Sequence, residues 1–184
     1  MNKLAGLLTI GHSTLSADAF VAMLLARRIA LLADVRRFPA SRRHPQFNRE
    51  ALADLLAGHG IEYRHFPELG GRREPRPDSP NTAWREAGFR GYADYMETVD
   101  FDQGIAGLLE AAKSKATAIM CAEKSWRSCH RGLIADHLKA SGIDVTHILD
   151  TAATEPHPWT AAAQIIDGRL TYAAAGTDQR QLPF

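Results

Sequence analysis

The chain has 184 residues, of which 45% are hydrophobic and 23% are charged, fractions that suit a globular protein with a sizeable core. Its formal net charge of +1 gives no overall basicity that would indicate nucleic-acid binding. Two cysteines are too few for a disulfide scaffold, and no apolar run is long enough for a transmembrane helix or a signal peptide. We therefore expect a single domain over residues 1–184, cytoplasmic, without a membrane partner and with free thiols. A Cys121–Cys129 disulfide is the alternative redox state of the two cysteines.

Predicted strands and helices alternate along the chain. Apolar runs predict buried strands at residues 7–11, 29–35, 61–66, 117–120 and 143–149. Helical patterns occupy residues 17–28, residues 84–99 and the segments that begin at Asn48, at Asp102 and after Ser128. The helix over residues 84–99 is expected to be broken by Gly88 and Gly91. In the tail, residues 151–184, Asp167 and Gly168 stand between two short runs and predict a β-hairpin. These elements predict an α/β fold: a mainly parallel five-stranded sheet flanked by helices, with a C-terminal hairpin.

Positive charge is concentrated in one region of the chain. Residues 35–91 contain eleven arginines, seven acidic residues and no lysine. Arginine without lysine suits the bidentate binding of phosphate or carboxylate groups. A solvated loop surface is the alternative interpretation of the same charges. The Arg- and Pro-rich loop that ends at Thr82 is long enough to be either functional or mobile.

The segment from Ala116 to Gly142 contains both cysteines between a predicted strand and a predicted helix. Ser128 is placed as the helix cap, with Cys129 to Arg131 in the first helical turn. A loop that follows a buried strand and precedes a helix is where α/β sheets place ligands, and helix amides attract anions. We therefore expect the functional site at this loop.

Polar side chains follow several of the predicted strands, at the carboxyl end of each. Because parallel strands end at the same edge of a sheet, we expect these side chains to share one cleft. They are His12 and Ser13, Asp34 and Arg36, His65, Cys121 and Glu123, and His147.

Five segments together resemble one family. They are Thr9 to Ser13; Asp34 to Arg36 with Pro39 and Ser41; Tyr63, His65 and Pro67 with Leu69 to Gly71; Tyr92, Ala93, Tyr95 and Met96; and Cys121 to Glu123 with Cys129 to Arg131. On these motifs the chain resembles the domain-of-unknown-function family 488 over nearly its whole length, the hairpin included. The resemblance implies no particular activity. It implies that Cys-Ala-Glu and Cys-His-Arg act as one functional pattern.

Cys129 is the stronger candidate for a reactive thiol. A position at a helix start beside Arg127 and Arg131 lowers the pKa of a thiol, and His130 is able to act as an acid or a base near neutral pH. Cys121 ends an apolar strand, where a cysteine is most often a small hydrophobic residue. We assign a catalytic role to Cys129, His130, Glu123 and, as the weakest candidate, Cys121.

A second group of residues is assigned to anion binding. It comprises Arg36, Arg127, Arg131, His12, Ser13 and Asp34. Asp34 and Glu123 are each a general base or an ion-pair partner that orients a neighbouring arginine, and the ion pair is the favoured interpretation. The hypothesis is an enzyme that acts on an anionic ligand such as a nucleotide, a nucleic-acid end or a phosphorylated metabolite. A binding module for nucleotides or nucleic acid, without turnover, is the alternative.

Two further interpretations remain. Cys121 and Arg127 fit the Cys-x5-Arg spacing of phosphotyrosine phosphatases, although Glu123 and Trp126 stand where that loop carries small residues; a thiol-redox enzyme belongs with this alternative. Cys121, Cys129, His130 and His12 form a zinc-compatible set, but seven residues between the cysteines is an unusual spacing and the arginines disfavour a cation. We therefore assign no metal, and the sequence identifies no cofactor.

Overall fold

The computed structural model describes residues 6–174. The end of the tail that we assigned to the domain, residues 175–184, lies outside the described residues. The helices are α1 Ala17–Ala26, α2 Arg49–Ala57, α3 Ala87–Tyr95, α4 Val99–Ala112 and α5 Arg131–Ala140. The strands are β1 Leu7–Gly11, β2 Leu31–Asp34, β3 Glu62–His65, β4 Thr117–Cys121, β5 Val145–Ile148, β6 Thr154–Pro156, β7 Gln164–Ile166 and β8 Arg169–Thr171. None of the helices within residues 6–174 is long and apolar enough to span a membrane.

The protein has an α/β fold built on a six-stranded sheet in the order β3-β2-β4-β1-β5-β6. Strands β1 to β5 are parallel, as predicted, and the β7–β8 hairpin is confirmed. Strand β6 pairs antiparallel with β5 and was not predicted. Its three residues, Thr154 to Pro156, are partly or fully exposed and carry no apolar pattern that would indicate a strand.

Apolar side chains cover both faces of the sheet. On one face α1 and α2 pack through Phe20, Leu24 and Leu52. On the other face α3, α4 and α5 pack through residues such as Tyr92 and Leu133, and both cysteines belong to this layer. Burial on both faces explains why β2 and β4 are buried at every position and mostly apolar, rather than alternating between apolar and polar residues.

The register of the central strands determines where the site lies. Gly11 at the end of β1 pairs with Cys121 at the end of β4, and Asp34 at the end of β2 pairs with Met120. Beyond the strands, the amide of His12 donates to the carbonyl of Cys121 at 3.1 Å. The chain segments that follow three central strands therefore meet at one edge of the sheet.

The start of α5 differs from the prediction. Trp126–Ser128 form a short 3₁₀ helix, Cys129 is extended with φ −140° and ψ 144°, and α5 begins at Arg131 with His130 at the N-cap position. The Ser128 hydroxyl donates to the Ser125 carbonyl at 3.3 Å and does not cap α5. Cys129 is consequently a single extended residue between two helical segments, outside the first turn of α5.

Two other helices also differ from their predicted forms. The sequence predicted a helix that begins at Asp102, but the cap of α4 is Thr98, four residues earlier. The Thr98 side chain accepts a hydrogen bond from the amide of Phe101. Asp102 then lies in the first turn of the helix, where the helix dipole stabilises a negative charge. Helix α3 is not broken at Gly88 or Gly91. A Cβ at Gly91 would lie 2.2 Å from the Arg73 carbonyl oxygen, so glycine there permits close packing of the loop.

The Arg- and Pro-rich loop is anchored to α3 through one buried carboxylate. The carboxylate of Asp94 accepts hydrogen bonds from the backbone amide of Arg76 at 2.8 Å, from the hydroxyl of Ser79 at 2.6 Å and from the side-chain nitrogen Nδ2 of Asn81 at 2.8 Å. Burial opposes ionisation of Asp94, but these hydrogen bonds outweigh it and lower the pKa of the carboxyl. The loop is thereby held on the side of the molecule that forms the cleft described next.

Candidate functional site

A cleft of about 900 Å³ opens where β1, β2 and β4 end. Seven of the ten residues that the sequence assigned to the site line it: His12, Ser13, Arg36, Cys121, Glu123, Cys129 and His130. Asp34 lies beneath the cleft wall and is fully buried. Arg127 and Arg131, which we expected to hold an anion, are not among the residues that line the cleft.

The two sulfurs and one histidine nitrogen lie close together at the bottom of the site. Nδ1 of His130 is 3.8 Å from Sγ of Cys129 and 3.9 Å from Sγ of Cys121, and the three atoms lie within 4.8 Å of one another. Nε2 of His130 is 3.0 Å from the carbonyl oxygen of Val35. A carbonyl oxygen only accepts, so Nε2 is the donor in this bond, and Nδ1 is the ring nitrogen that faces the sulfurs.

Arg131 is 2% exposed and is held inside the protein, in contrast to the predicted anion-binding role. Its Nε donates to Sγ of Cys129 at 3.3 Å, and its Nη2 donates to the carbonyl oxygens of Glu123 and Lys124. The side chain runs under the 121–129 loop, so its guanidinium does not line the cleft where we expected the anion. Arg131 therefore holds this loop in place and contacts the thiol of Cys129 from within.

A chain of buried hydrogen bonds extends from Arg131 away from the cleft. Nη1 of Arg131 lies 3.5 Å from the Thr9 hydroxyl, which is 2.6 Å from Nδ1 of His147. Nε2 of His147 is 2.9 Å from Nδ1 of His157, and Nε2 of His157 is 2.9 Å from the Asp136 carboxylate. Burial, followed by the charge of His157, lowers the pKa of His147 to about 3. His147 is therefore a neutral structural link, away from the cleft where we expected it.

The pKa values of Cys121 and Cys129 are shifted in opposite directions. Burial opposes ionisation of Cys129, but the hydrogen bond with Cys121 and the neighbouring His130 and Arg131 lower the pKa of Cys129 well below its usual value. The hydrogen bond with Cys129, followed by burial, raises the pKa of Cys121 well above its usual value. Of the two thiols, Cys129 is therefore the one that loses its proton more readily.

Asp34 and Arg36 form a buried ion pair at the end of β2. The carboxylate accepts from Nε and Nη2 of Arg36, at 2.9 and 2.6 Å, and from the Tyr63 hydroxyl at 2.6 Å. Nη1 of Arg36 lies 3.3 Å from Nε2 of His12. Burial, followed by the charge of Arg36, lowers the pKa of His12 to about 4. Asp34 thus orients Arg36, and His12 is neutral at physiological pH.

His65 and Glu123 occupy different parts of this region. Nε2 of His65 lies 2.8 Å from the carbonyl oxygen of Arg36, so the histidine fixes the backbone beside the cleft. Glu123 is exposed on the cleft wall, and its carboxylate has no hydrogen-bond or ion-pair partner within residues 6–174. Of the two carboxylates considered as a general base, Glu123 is the one that faces the cleft.

Arg127 is turned away from the cleft, which argues against a phosphatase loop. Its guanidinium pairs with Glu155 at 2.5 Å and lies 4.2 Å from the ring centre of Trp126. The arginine of the Cys-x5-Arg pattern therefore does not face the sulfur of Cys121. A phosphate-binding loop of that type does not form, because bulky Trp126 is buried and draws Arg127 to the outer surface.

Several cleft residues were missed as individual site residues. Exposed guanidinium groups at the cleft belong to Arg37, Arg43 and Arg72, and exposed Phe38 lies beside them. Within the described residues, Arg43 and Arg72 make no ion pair. The signal was present in the sequence as arginine without lysine over residues 35–91, but that pattern does not distinguish cleft arginines from surface ones.

Unusual backbone conformations and one glycine also occur at the cleft. Ser13 and Arg72 have positive φ angles of 47° and 59°, which cost energy in residues with a Cβ and are enriched at functional sites. A Cβ at Gly71 would lie 2.8 Å from Nδ1 of His130. The lack of a side chain at Gly71 is therefore what allows the His130 ring to reach the sulfurs.

The zinc-compatible set is not assembled as a set of four. Cys121, Cys129 and His130 converge, but Nδ1 of His12 bonds with the Ser13 carbonyl at 3.0 Å and its Nε2 faces Arg36. The Arg131 guanidinium already places a cation against the Cys129 sulfur. The geometry consequently favours a thiolate paired with a guanidinium over a metal centre.

Comparison with known proteins gives a family and no individual relative. The model of the family described as "Domain of unknown function DUF488" matches residues 16–138, from the cap of α1 into α5. The match includes Cys121 to Glu123 and Cys129 to Arg131 but is shorter than the resemblance we expected, and it leaves out β1 and the hairpin. Neither the curated proteins nor the solved structures give a match to the chain. Since the family model covers about two thirds of its residues, the chain belongs to the DUF488 family.

Proposed function

We propose that this protein is a thiol-dependent enzyme that binds an anionic substrate in the cleft and acts on it with the thiolate of Cys129. Nδ1 of His130 serves as the proton acceptor or donor beside the sulfur, and Glu123 is the carboxylate available on the cleft wall. The enzyme works in a reducing compartment such as the cytoplasm, where both thiols stay reduced.

The observation that carries this proposal is the buried guanidinium of Arg131. An arginine cannot lose its proton in a protein, and a buried charge without a counter-charge costs several kcal/mol or more. Within residues 6–174, no carboxylate lies within ion-pair distance of Arg131. The group in direct contact that is able to carry a negative charge is Sγ of Cys129, at 3.3 Å from Nε. The pair is most stable when Cys129 is a thiolate.

An anionic substrate is supported by the charges at the mouth of the cleft. Arg37, Arg43 and Arg72 are exposed there, and planar guanidinium groups bind phosphate and carboxylate in a bidentate manner. The backbone amides of His130 and Arg131 have no acceptor within the described residues. Amides at the start of a helix favour negative groups, so an anion bound there would lie beside the Cys129 sulfur.

The nucleophile is tested by the pH dependence of iodoacetamide labelling, read by peptide mass spectrometry. In the native protein Cys129 is expected to label with a midpoint well below the free-thiol pKa of about 8.5, because Arg131 stabilises its thiolate. The variants Cys121→Ser and Cys129→Ser report each thiol alone. Labelling of Cys121 before Cys129, or of both only above about pH 8.5, would overturn the proposal.

The anionic substrate is tested by protection of Cys129 from the same reagent, with inorganic pyrophosphate as the probe. Pyrophosphate is expected to slow labelling, and Arg43→Ser is expected to weaken the protection several-fold because it removes a cation from the cleft. Arg42→Ser is the matched control, since Arg42 is exposed but does not line the cleft. Equal protection in both variants would show that Arg43 does not bind the anion.

A binding module without turnover is the second candidate, and the same exposed arginines favour it. It predicts oligonucleotide binding with a steep dependence on salt concentration, because phosphate contacts release counter-ions. It also predicts an ordinary pH profile for both thiols. The two experiments on salt and on labelling therefore separate the module from the enzyme.

A further inference from the structure

We propose that Cys121 is the resolving thiol for Cys129: a hydroperoxide oxidises Cys129 to a sulfenic acid, and Cys121 then forms an intramolecular disulfide with it. This inference rests on the proposed function, since it uses the same thiolate. The cleft would then catalyse a second reaction, with a hydroperoxide as its substrate. Reduction of the disulfide by a dithiol restores the Cys129 thiol.

The relative position of the two sulfurs carries the inference. Both cysteines line the cleft, and their sulfurs lie within 4.8 Å of each other. A disulfide requires about 2.05 Å, so one sulfur must move toward the other. Cys121 is fixed at the end of β4 by its pairing with Gly11, whereas Cys129 is one extended residue between a 3₁₀ helix and α5. We therefore expect Cys129, and not the sheet, to move when the two sulfurs come together.

The first step consumes the peroxide. The Cys129 thiolate attacks one oxygen of the hydroperoxide, a sulfur–oxygen bond forms and the oxygen–oxygen bond breaks. The sulfur is oxidised by two electrons, and the leaving hydroxide or alkoxide takes up a proton to become water or an alcohol. The guanidinium of Arg131, 3.3 Å from this sulfur, stabilises the negative charge before and during the attack.

The second step uses Cys121 and His130. The Cys121 sulfur attacks the Cys129 sulfenic acid, a sulfur–sulfur bond forms and the sulfur–oxygen bond breaks. Nδ1 of His130, 3.9 Å from Sγ of Cys121 and 3.8 Å from Sγ of Cys129, takes the proton of the attacking thiol and gives a proton to the departing hydroxide. One water molecule leaves, so the step needs no further oxidant.

The groups around the sulfurs explain why the two thiols act in this order. Among the described residues, Cys121, His130 and Arg131 act on the pKa of Cys129, and the charge of Cys129 acts in turn on Tyr92, whose hydroxyl donates to the Leu69 carbonyl. The thiolate of Cys129 is the principal reason that the pKa of Cys121 is raised. A sulfenic acid is neutral, so the oxidation of Cys129 removes this effect while Arg131 remains. Cys121 becomes more acidic at the moment when its thiolate is needed.

The test treats the native full chain and the variants Cys121→Ser and Cys129→Ser with hydrogen peroxide and follows intact mass. The native chain is expected to lose two hydrogen atoms, to have no free thiol and to recover both thiols with dithiothreitol. Cys121→Ser is expected to form a sulfenic acid that dimedone traps, and then to over-oxidise to the sulfinic acid. Cys129→Ser is expected to react at least about tenfold more slowly, because burial still raises the pKa of Cys121 and the hydrogen bond of Arg131 goes to Cys129 and not to Cys121. Circular dichroism confirms that each variant is folded, and Cys121→Ala replaces Cys121→Ser if it is not.

Oxygen addition to the native chain without loss of two hydrogens would overturn the inference. Equal oxidation rates of the native chain and Cys129→Ser would also overturn it. These failures are distinguishable from failure of the proposed function. If Cys129 labels at low pH with iodoacetamide but no disulfide forms, the nucleophile stands and the resolving role of Cys121 falls. If neither thiol labels below about pH 8.5, the nucleophile itself is absent.

Discussion

At the residue scale, the side chain that controls the site is Arg131, which is buried against Sγ of Cys129. Arg131→Met keeps an unbranched side chain but removes the guanidinium with its charge and its hydrogen bonds. A charged hydrogen bond contributes about 1.5–3 kcal/mol, and one pH unit of pKa corresponds to about 1.4 kcal/mol. The substitution is therefore expected to raise the pKa of Cys129 by about one to two pH units. The pH profile of iodoacetamide labelling measures this change.

Arg127→Met is the matched control for this residue. Arg127 lies two residues before Cys129, but its guanidinium pairs with Glu155 at the surface and does not touch either sulfur. Its replacement is expected to leave the pH midpoint of Cys129 labelling unchanged. A profile that moves equally in the two variants would mean that overall charge, and not the buried contact, controls the thiol.

At the scale of elements, the site depends on how closely the loop after β3 approaches the start of α5. Gly71 lies in that loop, and a Cβ there would be 2.8 Å from Nδ1 and 3.2 Å from Cε1 of His130. Gly71→Ala is therefore expected to displace the ring from both sulfurs and from the Val35 carbonyl. The labelling midpoint of Cys129 should rise, because His130 lowers the pKa of that thiol.

Gly88→Ala is the corresponding control at the same cleft. Gly88 lies in α3 and lines the cleft, but a Cβ added there meets no atom within 4 Å. Alanine in a helix is favoured over glycine by about 1 kcal/mol, so this variant is expected to be slightly more stable with an unchanged thiol. Thermal unfolding and labelling together separate the two glycines. Unchanged labelling in Gly71→Ala would contradict the proposed contact.

At the scale of the whole molecule, the sheet buries histidines that stay neutral. Burial is the largest cause that lowers the pKa of His12 to about 4 and of His147 to about 3. An unfolded histidine takes up a proton near pH 6.5, whereas these two do so only at about pH 4 and 3. The unfolded chain binds more protons in that interval, so the free energy of unfolding must fall as the pH drops from about 6.5 to 4.

Urea unfolding at a series of pH values measures this dependence. The midpoint is expected to be constant above about pH 7 and to fall steadily below about 6.5. His147→Gln should flatten the fall, because glutamine can accept from Thr9 and donate to His157 without titrating. His59→Gln should leave it unchanged, since His59 is exposed. A constant midpoint down to about pH 4.5 would show that the buried histidines do not oppose protonation.

The sequence was sufficient for the elements and for the edge of the sheet where the site lies. Continuous apolar runs predicted β1, β2 and β4, and parallel pairing places the ends of such strands together, so seven site residues line one cleft. Asp167 and Gly168 predicted the hairpin because a two-residue turn of this type requires positive φ at both positions, as observed. These features depend on neighbours in the chain, which a single sequence contains.

Tertiary structure alone decided which way the charged side chains point. Arg127 and Arg131 are equivalent in the sequence, on either side of Cys129, yet one pairs with Glu155 at the surface and the other is buried against the sulfur. The partners that distinguish them, Glu155 on β6 and Thr9 on β1, lie far away in the chain. The same holds for Gly71, whose importance comes from the ring of His130. Local pattern determines strands and helices, but the direction of a charged side chain depends on which counter-charges and hydrogen-bond partners the folded chain brings within its reach.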